Sequence, residues 1–372
     1  MTPDHIPFLD LKPEEDNAAI ENAITRVIES GHFILGAEVQ AFEHEFAHVS
    51  GLTHAVGVGN GTDALCLLLK GLGIGRGDEV ITTSLSAGFT AVAIMQSGAT
   101  PVFVDIDEDR LTLDPAAVRS AISSRTAALL PVHLYGQPAD LTTLSQLATR
   151  HNLALIEDCC QAHLATYQDR AVGTFGHGCA FSFYPTKNLG AVGDGGAACT
   201  NDRGLADRIR SLRNGGMSRP SYHEHAGMNS RLDEIQAAVL RAKLPFLPHW
   251  TAQRRMLASR YREQLDRKTV VIPPEIDPGH VYHLFPIRST ERNRFQKHLL
   301  NSGIDTVIHY PTPLNEQSAF VSNKSVNPSI TQNICQEIVS LPLHPKLTAD
   351  AVDRIIETVN DFDRTSHREV IE

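Results

Sequence analysis

Residues 181–190 read FSFYPTKNLG, an apolar run of strand length followed by a turn that carries one lysine. The run predicts a buried strand that ends at Pro185, because proline cannot donate to the hydrogen-bond ladder of a central strand. Lys187 follows two residues later, with no acid nearby in the sequence. Lysine is seldom buried without a partner. The stretch therefore predicts either a surface lysine or a buried amine that is kept for chemistry.

Strand-like apolar runs and helical patterns alternate around this stretch, from Ile20 to Leu212. The strand-like runs are HAVGVGNG, DEVITTSLS, TPVFVDID, TAALLPVHLYG, LALIEDCC, GCAFSFYP and GGAACTND. Buried strands that alternate with helices are typical of a mostly parallel sheet with helices on both faces. Ligands of such sheets bind beyond the carboxyl ends of the strands. We therefore expect the functional residues directly after these runs.

Two prolines, Pro245 and Pro248, interrupt the helical pattern SRLDEIQAAVLRAKL. Beyond them, further helical patterns surround the strand-like run HVYHLFPIR. The sequence therefore predicts two domains: a large one over residues 1–245, with an N-terminal arm, and a smaller C-terminal one over residues 246–372. A chain of 372 residues is long enough for both.

Charge and composition exclude several classes of partner. The formal net charge of −10 disfavours a polyanion such as nucleic acid. No apolar run approaches the length of a membrane-spanning helix, and MTPDHIPFLDLKPEED lacks the basic and apolar regions of a signal peptide. The six cysteines lie in apolar segments without C-x-x-C spacing, which indicates reduced thiols. We therefore predict a cytoplasmic protein with neither nucleic acid nor membrane as a partner.

A zinc motif has to be weighed at residues 44–54, HEFAHVSGLTH, which fit H-E-x-x-H-x-x-G-x-x-H. In a metallopeptidase this pattern presents histidines to zinc and a glutamate to the attacking water. Such enzymes also need a methionine turn below the metal, and the first downstream methionine, Met95, lies in a helical pattern. The alternative is a set of histidines on an exposed helix face and at the next strand. We favour that alternative, predict no metal, and keep a zinc peptidase as a distant third hypothesis.

The sequence GVGNGTDAL, residues 57–65, predicts a strand, a glycine-rich turn and a helix start. Its glycines follow G-x-G-x-G, so it is not the dinucleotide fingerprint. Gly61, Thr62 and Asp63 fall at the helix amino terminus, where backbone N–H groups and the helix dipole favour a phosphate. An ordinary helix capped by Thr62 remains the alternative.

A buried acid and a lysine complete this set. LALIEDCCQAH places Asp158 at the end of a buried strand, where an acid needs a positive partner or strong donors, unless it only caps a helix. Ser182 and Lys187 follow in the next strand and its turn. Pyridoxal 5′-phosphate (PLP) requires this combination: an anion site, a lysine for a Schiff base and a carboxylate at the pyridine nitrogen. The lysine must be deprotonated to attack an aldehyde, and a dry pocket lowers its pKa.

Five motifs, in one unbroken order, resemble the PLP-dependent nucleotide-sugar aminotransferases of the DegT and StrS group. They are GVGNGTDALCLLL, PVHLYGQPADL, EDCCQAH, FSFYPTKNLGAVGDGG and GMNSRLDEIQAAVL. The likeness runs from IPFLDL near the start to SLPLHPKLT near the end. It implies the type I fold of aspartate aminotransferase, an α/β fold with a mostly parallel seven-stranded sheet covered by helices and a smaller C-terminal α/β domain.

The resemblance also implies roles for single residues. Lys187 would form the Schiff base (the internal aldimine) and later move a proton between C4′ of the cofactor and the substrate carbon. Asp158 would pair with the pyridinium nitrogen, and Gln161 would lie near the 3-hydroxyl group. The other cofactor contacts would be Gly61, Thr62, Asp63 and Ser182 at the phosphate, Phe89 on the ring, and Asn229 reaching the phosphate from the neighbouring subunit. The active unit would then be a homodimer.

The implied reaction takes an amino group from L-glutamate, forms pyridoxamine phosphate, and passes the amine to a nucleotide-linked keto-sugar. Lys187 favours transamination, since the dehydratase branch of the family has a histidine there. CCQAHLA and HLYGQPAD resemble members that act at C3 of dTDP-3-keto-6-deoxyhexoses. One departure is Leu164, where these relatives usually have glycine, which predicts a tighter or displaced pocket. The candidate substrate contacts are Arg26, Phe33, His163, Tyr184, Arg219, Tyr222, His309 and Tyr310.

Two alternatives remain beside the zinc hypothesis. Amination at C4 of the sugar is the first. The second is a regulator that binds PLP without turnover. A protein that only binds PLP would not need the complete set of catalytic residues. Turnover with glutamate and a keto-sugar distinguishes an enzyme from a regulator.

Overall fold

A computed structural model describes residues 5–321, 324–325 and 328–362. The helices are α1 (Asn17–Ser30), α2 (Ala37–Val49), α3 (Gly61–Gly71), α4 (Phe89–Ser97), α5 (Pro115–Ala121), α6 (Leu141–His151), α7 (Arg203–Leu212), α8 (Glu234–Lys243), α9 (Leu247–Gln264), α10 (Arg292–Asn301), α11 (Ser329–Glu337) and α12 (Ala349–Asn360). Short 3₁₀ helices cover Leu134–Gly136, Leu244–Phe246 and Leu314–Glu316.

The strands are β1 (His54–Val58), β2 (Glu79–Thr83), β3 (Thr100–Val104), β4 (Thr126–Leu130), β5 (Ala154–Asp158), β6 (Thr166–Tyr167), β7 (Arg170–Ala171), β8 (Gly178–Ser182), β9 (Gly196–Thr200), β10 (Met217–Arg219), β11 (Tyr222–His223), β12 (Phe285–Arg288), β13 (Lys324–Ser325) and β14 (Ile338–Leu341). Seven of them form the central sheet in the order β1-β9-β8-β5-β4-β2-β3, and β13 adds a two-residue strand at its edge. Only β9 runs antiparallel to its neighbours in this sheet. The prediction of a mostly parallel seven-stranded sheet is confirmed, and the edge strand is an addition.

Local side-chain chemistry determines where several helices begin. Asn60, Asp114, Asp140 and Asp202 each accept a hydrogen bond from a backbone N–H in the first turn of the helix that follows. Such caps satisfy donors that the helix leaves without partners, and each stabilises a helix by about 1 kcal/mol. At α3 the cap is Asn60, not the alternative Thr62.

Alternate residues of β8 pack on opposite faces of the sheet. Phe181 and Phe183 join the aromatic cluster that α2 covers, with Phe46 at 5.0 Å from each ring centroid. Ala180 packs on the other face, in the cluster that contains α3 and α7. Truncating such a buried phenylalanine to alanine costs about 3–5 kcal/mol. This alternation directs Ser182 toward the amino terminus of α3.

The C-terminal residues build a separate core cluster around β12 and β14, which pair antiparallel with Phe285 opposite Leu341. Ile6, far away in sequence, also belongs to this cluster. The domain boundary after residue 245 stays a prediction.

Candidate active site

Asp158 is the last residue of β5 and is 5% exposed. Its Oδ2 accepts a hydrogen bond from Thr90 Oγ1 at 2.7 Å, and its Oδ1 accepts one from the Cys160 N–H at 3.1 Å. Thr90, near the start of α4, is itself buried. Each carboxylate oxygen is therefore oriented by one donor and keeps acceptor capacity for a cation.

Lys187 lies in the turn after β8, where its backbone N–H donates to the Tyr184 carbonyl at 2.8 Å. Burial lowers the pKa of its amine, while Cys160 and Asp158 oppose that effect. Since the neutral amine is the nucleophile, a lowered pKa raises the fraction of lysine able to attack an aldehyde. Asp158 lies 29 residues before Lys187 in the sequence, yet it is near enough at this edge of the sheet to raise the pKa of the lysine.

The amino terminus of α3 meets the ends of β5 and β8. A Cβ on Gly61 would lie 2.7 Å from Cys160 Sγ and 2.9 Å from Ser182 Cβ, so this close approach requires glycine. The N–H groups of Gly61 and Thr62 lie in the first turn, where a helix supplies no acceptor. They can therefore bind a phosphate.

Asp63 makes its hydrogen bonds within the protein, and its contact with a phosphate stays a prediction. Its N–H donates to Asn60 Oδ1 at 2.8 Å, and its carboxylate accepts from Ser230 Oγ at 2.6 Å. Asp63 therefore holds the turn in place, and the donors left for an anion are those of Gly61 and Thr62. The Ser182 hydroxyl, which lies beside them, accepts a hydrogen bond from the Tyr184 N–H at 3.3 Å.

Gln161 connects the end of β5 with the segment at His309 and Tyr310. Its Oε1 accepts from the Tyr135 N–H at 2.7 Å, and its Nε2 donates to Tyr310 Oη at 3.2 Å. The Tyr135 hydroxyl donates to the His309 carbonyl. Tyr135 has a φ of 60°, a conformation that costs a non-glycine residue roughly 1–2 kcal/mol. The predicted substrate contacts His309 and Tyr310 are thereby fixed next to Gln161.

The other predicted contacts lie on exposed surface. Phe89 is 67% exposed, directly before Thr90, so its ring is free to cover a ligand above Asp158. Apart from the backbone bond between the Lys187 N–H and the Tyr184 carbonyl, no hydrogen bond or ion pair between described residues joins the rest to Asp158 or Lys187. They are Arg26, Phe33, Tyr184, Arg219, Tyr222 and Asn229. Arg26 pairs with Glu38 at 3.4 Å, and the Arg219 guanidinium lies 4.7 Å from the Tyr222 ring centre. The exposed Asn229 precedes Ser230, which contacts Asp63 of its own chain.

His163 lies in an aromatic environment. It is 1% exposed, and its ring centroid lies 5.3 and 5.8 Å from those of Phe181 and Phe183. Burial lowers its pKa to about 3, so the ring is neutral. Its role as a substrate contact stays a prediction. Leu164 takes a φ of 63°, a conformation that favours the glycine usual at that position.

The zinc hypothesis is not supported by the geometry. His44 and His48 are exposed on α2, and Glu45 pairs with Arg241 at 2.7 Å. Among the described residues, the single group of three or more potential ligands at metal-binding separation is His133, Glu157 and Cys159. The three histidines of the zinc motif thus do not converge on one point.

The buried group of His133, Glu157 and Cys159 has a structural explanation. His133 Nδ1 accepts from the Ala139 N–H at 3.1 Å, which assigns the proton to Nε2, 3.0 Å from Glu157. Glu157 also accepts three backbone N–H groups, from Gly173, Phe175 and Gly176. The Cys159 thiol has its pKa raised to about 12 by burial. These groups are satisfied by the protein itself and anchor the end of β5 from the face opposite Asp158.

This arrangement of fold and site is that of a PLP-dependent transferase of fold type I. The residues fit the cofactor: a glycine-lined helix amino terminus for its phosphate, Asp158 for its ring nitrogen, and Lys187 for its aldehyde. A family model for the DegT/DnrJ/EryC1/StrS aminotransferase family matches residues 14–360. The chain belongs to this family and is an aminotransferase.

Three relatives show how close this relationship is. The chain is 46% identical to the dTDP-3-amino-3,4,6-trideoxy-alpha-D-glucose transaminase of Streptomyces venezuelae, over 96% of each chain. It is 43% identical to the dTDP-3-amino-3,6-dideoxy-alpha-D-galactopyranose transaminase of Aneurinibacillus thermoaerophilus, over 96% of this chain and 99% of that one. The crystal structure of S. venezuelae DesV in complex with a ketimine intermediate superposes with a TM-score of 0.93, at 46% identity, over 96% of this chain and 98% of that one.

The described helices include none with both the length and the apolar character that a bilayer crossing requires.

Proposed function

We propose that this aminotransferase uses PLP to transfer the amino group of L-glutamate to C3 of a dTDP-linked 3-keto-6-deoxyhexose. The observation that carries the proposal is the convergence of Lys187, Asp158 and the amino terminus of α3 at one edge of the sheet. The names of the two relatives above support a dTDP-linked sugar and the C3 position.

When bound, the cofactor supplies an electron sink for the negative charge that develops on the carbon beside the reacting nitrogen. The backbone donors of Gly61 and Thr62, with the Ser182 hydroxyl, would bind its phosphate. Asp158 would hold a proton on its pyridine nitrogen. Thr90 and the Cys160 N–H keep that carboxylate in one orientation.

Lys187 would bind the cofactor aldehyde and then act as the acid–base group that moves a proton between C4′ of the cofactor and the substrate carbon. Burial favours its neutral, proton-accepting form. Asp158 lies near enough to oppose that effect, which keeps the amine within reach of protonation. Phe89 would cover the ring of the cofactor, since its side chain is free to do so.

The sugar would bind beside Gln161, His309 and Tyr310. Gln161 would lie near the 3-hydroxyl of the cofactor, and its bonds to Tyr135 and Tyr310 orient its side chain before substrate arrives. The remaining candidate contacts are Arg26, Phe33, His163, Tyr184, Arg219 and Tyr222.

The active unit would be a homodimer, with Asn229 of one subunit reaching the phosphate bound to the other. Exposed apolar side chains support an association surface; they include Phe33, Ile34, Val192 and Tyr222, each about half exposed. The six free cysteines fit a cytoplasmic location.

The experiment is to incubate the purified enzyme and PLP with L-glutamate and either dTDP-3-keto- or dTDP-4-keto-6-deoxyglucose. The aminated carbon is then identified by NMR. We expect a 3-amino sugar from the wild type, none from Lys187→Ala, and full activity in Lys268→Ala, a control at an exposed lysine. A 4-amino product would establish the C4 alternative. Bound PLP without turnover of either sugar would favour the regulator.

A further inference from the structure

A cavity of about 420 Å³ lies next to the segment that carries Lys187 and has that lysine in common with the candidate cofactor site. It opens between residues 9–16, residues 185–192 and the side chains of Lys243, Trp250, Gln253, Arg254, His344 and Lys346. Its lining includes Lys187 but not Asp158, Gly61 or Gln161. This volume is in the range of small-molecule sites.

Arg254 is one of the cations that line the cavity, together with Lys12, Lys187, Lys243 and Lys346. Arg254 is 5% exposed, and its Nη1 donates to the carbonyl oxygens of Tyr282 and His283 at 3.2 Å and of Leu343 at 2.8 Å. Its Nε has no hydrogen-bond partner in the described chain. Among the ion pairs of the described residues, none involves Arg254.

A guanidinium remains charged at any physiological pH. Burying it without a counter-ion costs several kcal/mol, which hydrogen bonds to carbonyl groups offset only in part. An anion in the cavity would remove that cost and would use the donor that the protein leaves free.

Two neighbours of Arg254 in the cavity wall also lack partners. Both ring nitrogens of His344, which is 5% exposed, make no hydrogen bond of good geometry to a described residue, although the Pro7 backbone is near. Gln253 Oε1 is also unsatisfied. Buried polar groups are normally hydrogen-bonded, so the donors of Arg254 and His344 on one wall indicate a missing acceptor, whereas Gln253 Oε1, itself an acceptor, needs a donor.

The carboxylates that line the cavity are committed elsewhere. Glu15 accepts from the Trp250 indole N–H at 2.7 Å. Asp10 and Glu14 each lie 3.7 Å from Lys346 Nζ. Asp16 Oδ1 accepts from the Glu14 N–H at 3.1 Å. None of these acids pairs with Arg254 in the described chain, so its charge stays available.

We propose that this cavity is a second binding site, for a small anion whose carboxylate or phosphate group lies against Arg254 and His344. The neutral His344 ring can donate one hydrogen bond and Arg254 Nε another, so the anion would be held by a charged and a neutral donor. The site is separate from the proposed keto-sugar site and does not depend on that proposal.

The pKa values of the two side chains agree with this geometry. Burial and the nearby Arg254 lower the pKa of His344 to about 4, and burial lowers that of Arg254 to about 10. Asp10, which also lines the cavity, acts on His344 in the opposite direction, and a bound anion would raise both pKa values.

The test is isothermal titration calorimetry on the PLP-loaded enzyme, with excess dTDP present to fill phosphate subsites of the active site. Inorganic phosphate and malonate are the two probes, and they separate a phosphate ligand from a carboxylate ligand. We expect saturable binding of at least one probe. Arg254→Gln should weaken it at least about tenfold, because a charge-assisted hydrogen bond is lost.

Two further variants separate loss of the anion site from the loss of other contacts of Arg254. Arg254→Gln also removes three bonds to carbonyl groups, so His344→Leu is the second test; it leaves those bonds in place and should also weaken binding. Arg255→Gln is the matched control, since Arg255 does not line the cavity and donates to the His280 carbonyl at 2.9 Å. No saturable binding of either probe, or binding that both cavity variants leave unchanged, would overturn the proposal.

Discussion

Two adjacent acids at the end of β5 have different surroundings and different uses. Glu157 is fully buried and accepts hydrogen bonds from His133 and three loop N–H groups. Asp158 faces the other side of the sheet, where Thr90 and the Cys160 N–H orient it. Since successive side chains of a strand point to opposite faces, one short sequence supplies both a structural anchor and the carboxylate that we propose as a cofactor ligand.

The first prediction concerns Thr90. Thr90→Val removes the hydroxyl that donates to Asp158 while keeping the shape of the side chain. A hydrogen bond to a charged group contributes about 1.5–3 kcal/mol, so PLP should bind at least about tenfold more weakly. The measurement is a PLP titration of the cofactor-free enzyme, followed by absorbance. Thr90→Ser keeps the hydroxyl and should bind as the wild type does; equal affinity in Thr90→Val would show that Thr90 does not position Asp158.

Local sequence was sufficient to find Lys187 and Asp158, because each follows a buried strand at the edge where ligands bind. Their supporting residues were missed. Thr90 and Asp158 are 68 residues apart, and Tyr135 and His309 are 174 apart. Contacts over such separations depend on the completed sheet and leave no local pattern. The burial of His163 was missed for a related reason: the sequence does not show which side of the chain its ring faces after β5.

At the scale of elements, the loop after β7 is bonded to β5 by the Glu157 side chain and by His177, whose N–H donates to the Leu155 carbonyl at 2.8 Å. Glu157 accepts from the backbone of Gly173, Phe175 and Gly176, and His133 extends the network to Ala139. Side-chain bonds thus join segments that no strand pairing connects directly. No local pattern indicated this network, beyond an acid at the end of an apolar run.

The second prediction tests this connection. Glu157→Gln places an amide N–H₂ among backbone donors, which leaves at least one of them without a partner. An unsatisfied buried donor costs about 1–3 kcal/mol, and urea unfolding of the cofactor-free protein should show this loss. Glu29→Gln, at an exposed position of α1, should change stability by less than about 0.5 kcal/mol. Equal stabilities of the two variants would contradict the anchoring role.

For the whole molecule, buried neutral histidines predict a loss of stability in acid. Burial holds the pKa of His163 and His280 near 3 and that of His344 near 4. In the unfolded chain a histidine titrates near 6.5. Below that pH the unfolded state binds protons that the folded state does not, so stability is present above pH 6.5 and falls as the pH is lowered toward 4.

Urea unfolding at pH 7 and pH 5 measures this third prediction. His163→Phe should show a smaller loss between the two values, because its aromatic neighbours can accept the ring and one titrating group is gone. His48→Gln, at an exposed histidine of α2, should retain the wild-type loss. Stability that is equal or higher at pH 5 would contradict the neutral state of these histidines.

The fourth prediction concerns the proposed homodimer. Lys187→Ala and Asn229→Ala should each be impaired alone. If Asn229 acts across the interface, a mixed dimer has one site with both residues intact, and equal mixing should restore about a quarter of wild-type activity. Differently tagged subunits verify exchange. Mixed dimers that form without recovery of activity would place Asn229 in its own subunit's site, or outside both.

The alternation of strands and helices could be predicted from the sequence for the whole large sheet, because each buried strand is a short apolar run. The two-residue strand β13 was not, since pairing at an edge needs no apolar pattern. The motif at residues 44–54 shows that a sequence pattern can also mislead. It matches a zinc motif in full, but the fold places its residues on different surfaces.

The central claim is that Lys187 binds the cofactor and enables transfer of an amino group. Its most direct test is the visible absorption spectrum of the purified protein with PLP, before and after excess L-glutamate. We predict a visible band in the wild type and in Lys268→Ala that disappears when glutamate is added, and no such band in Lys187→Ala. A wild type without the band at any PLP concentration, or a Lys187→Ala variant with an unchanged band, would contradict the account.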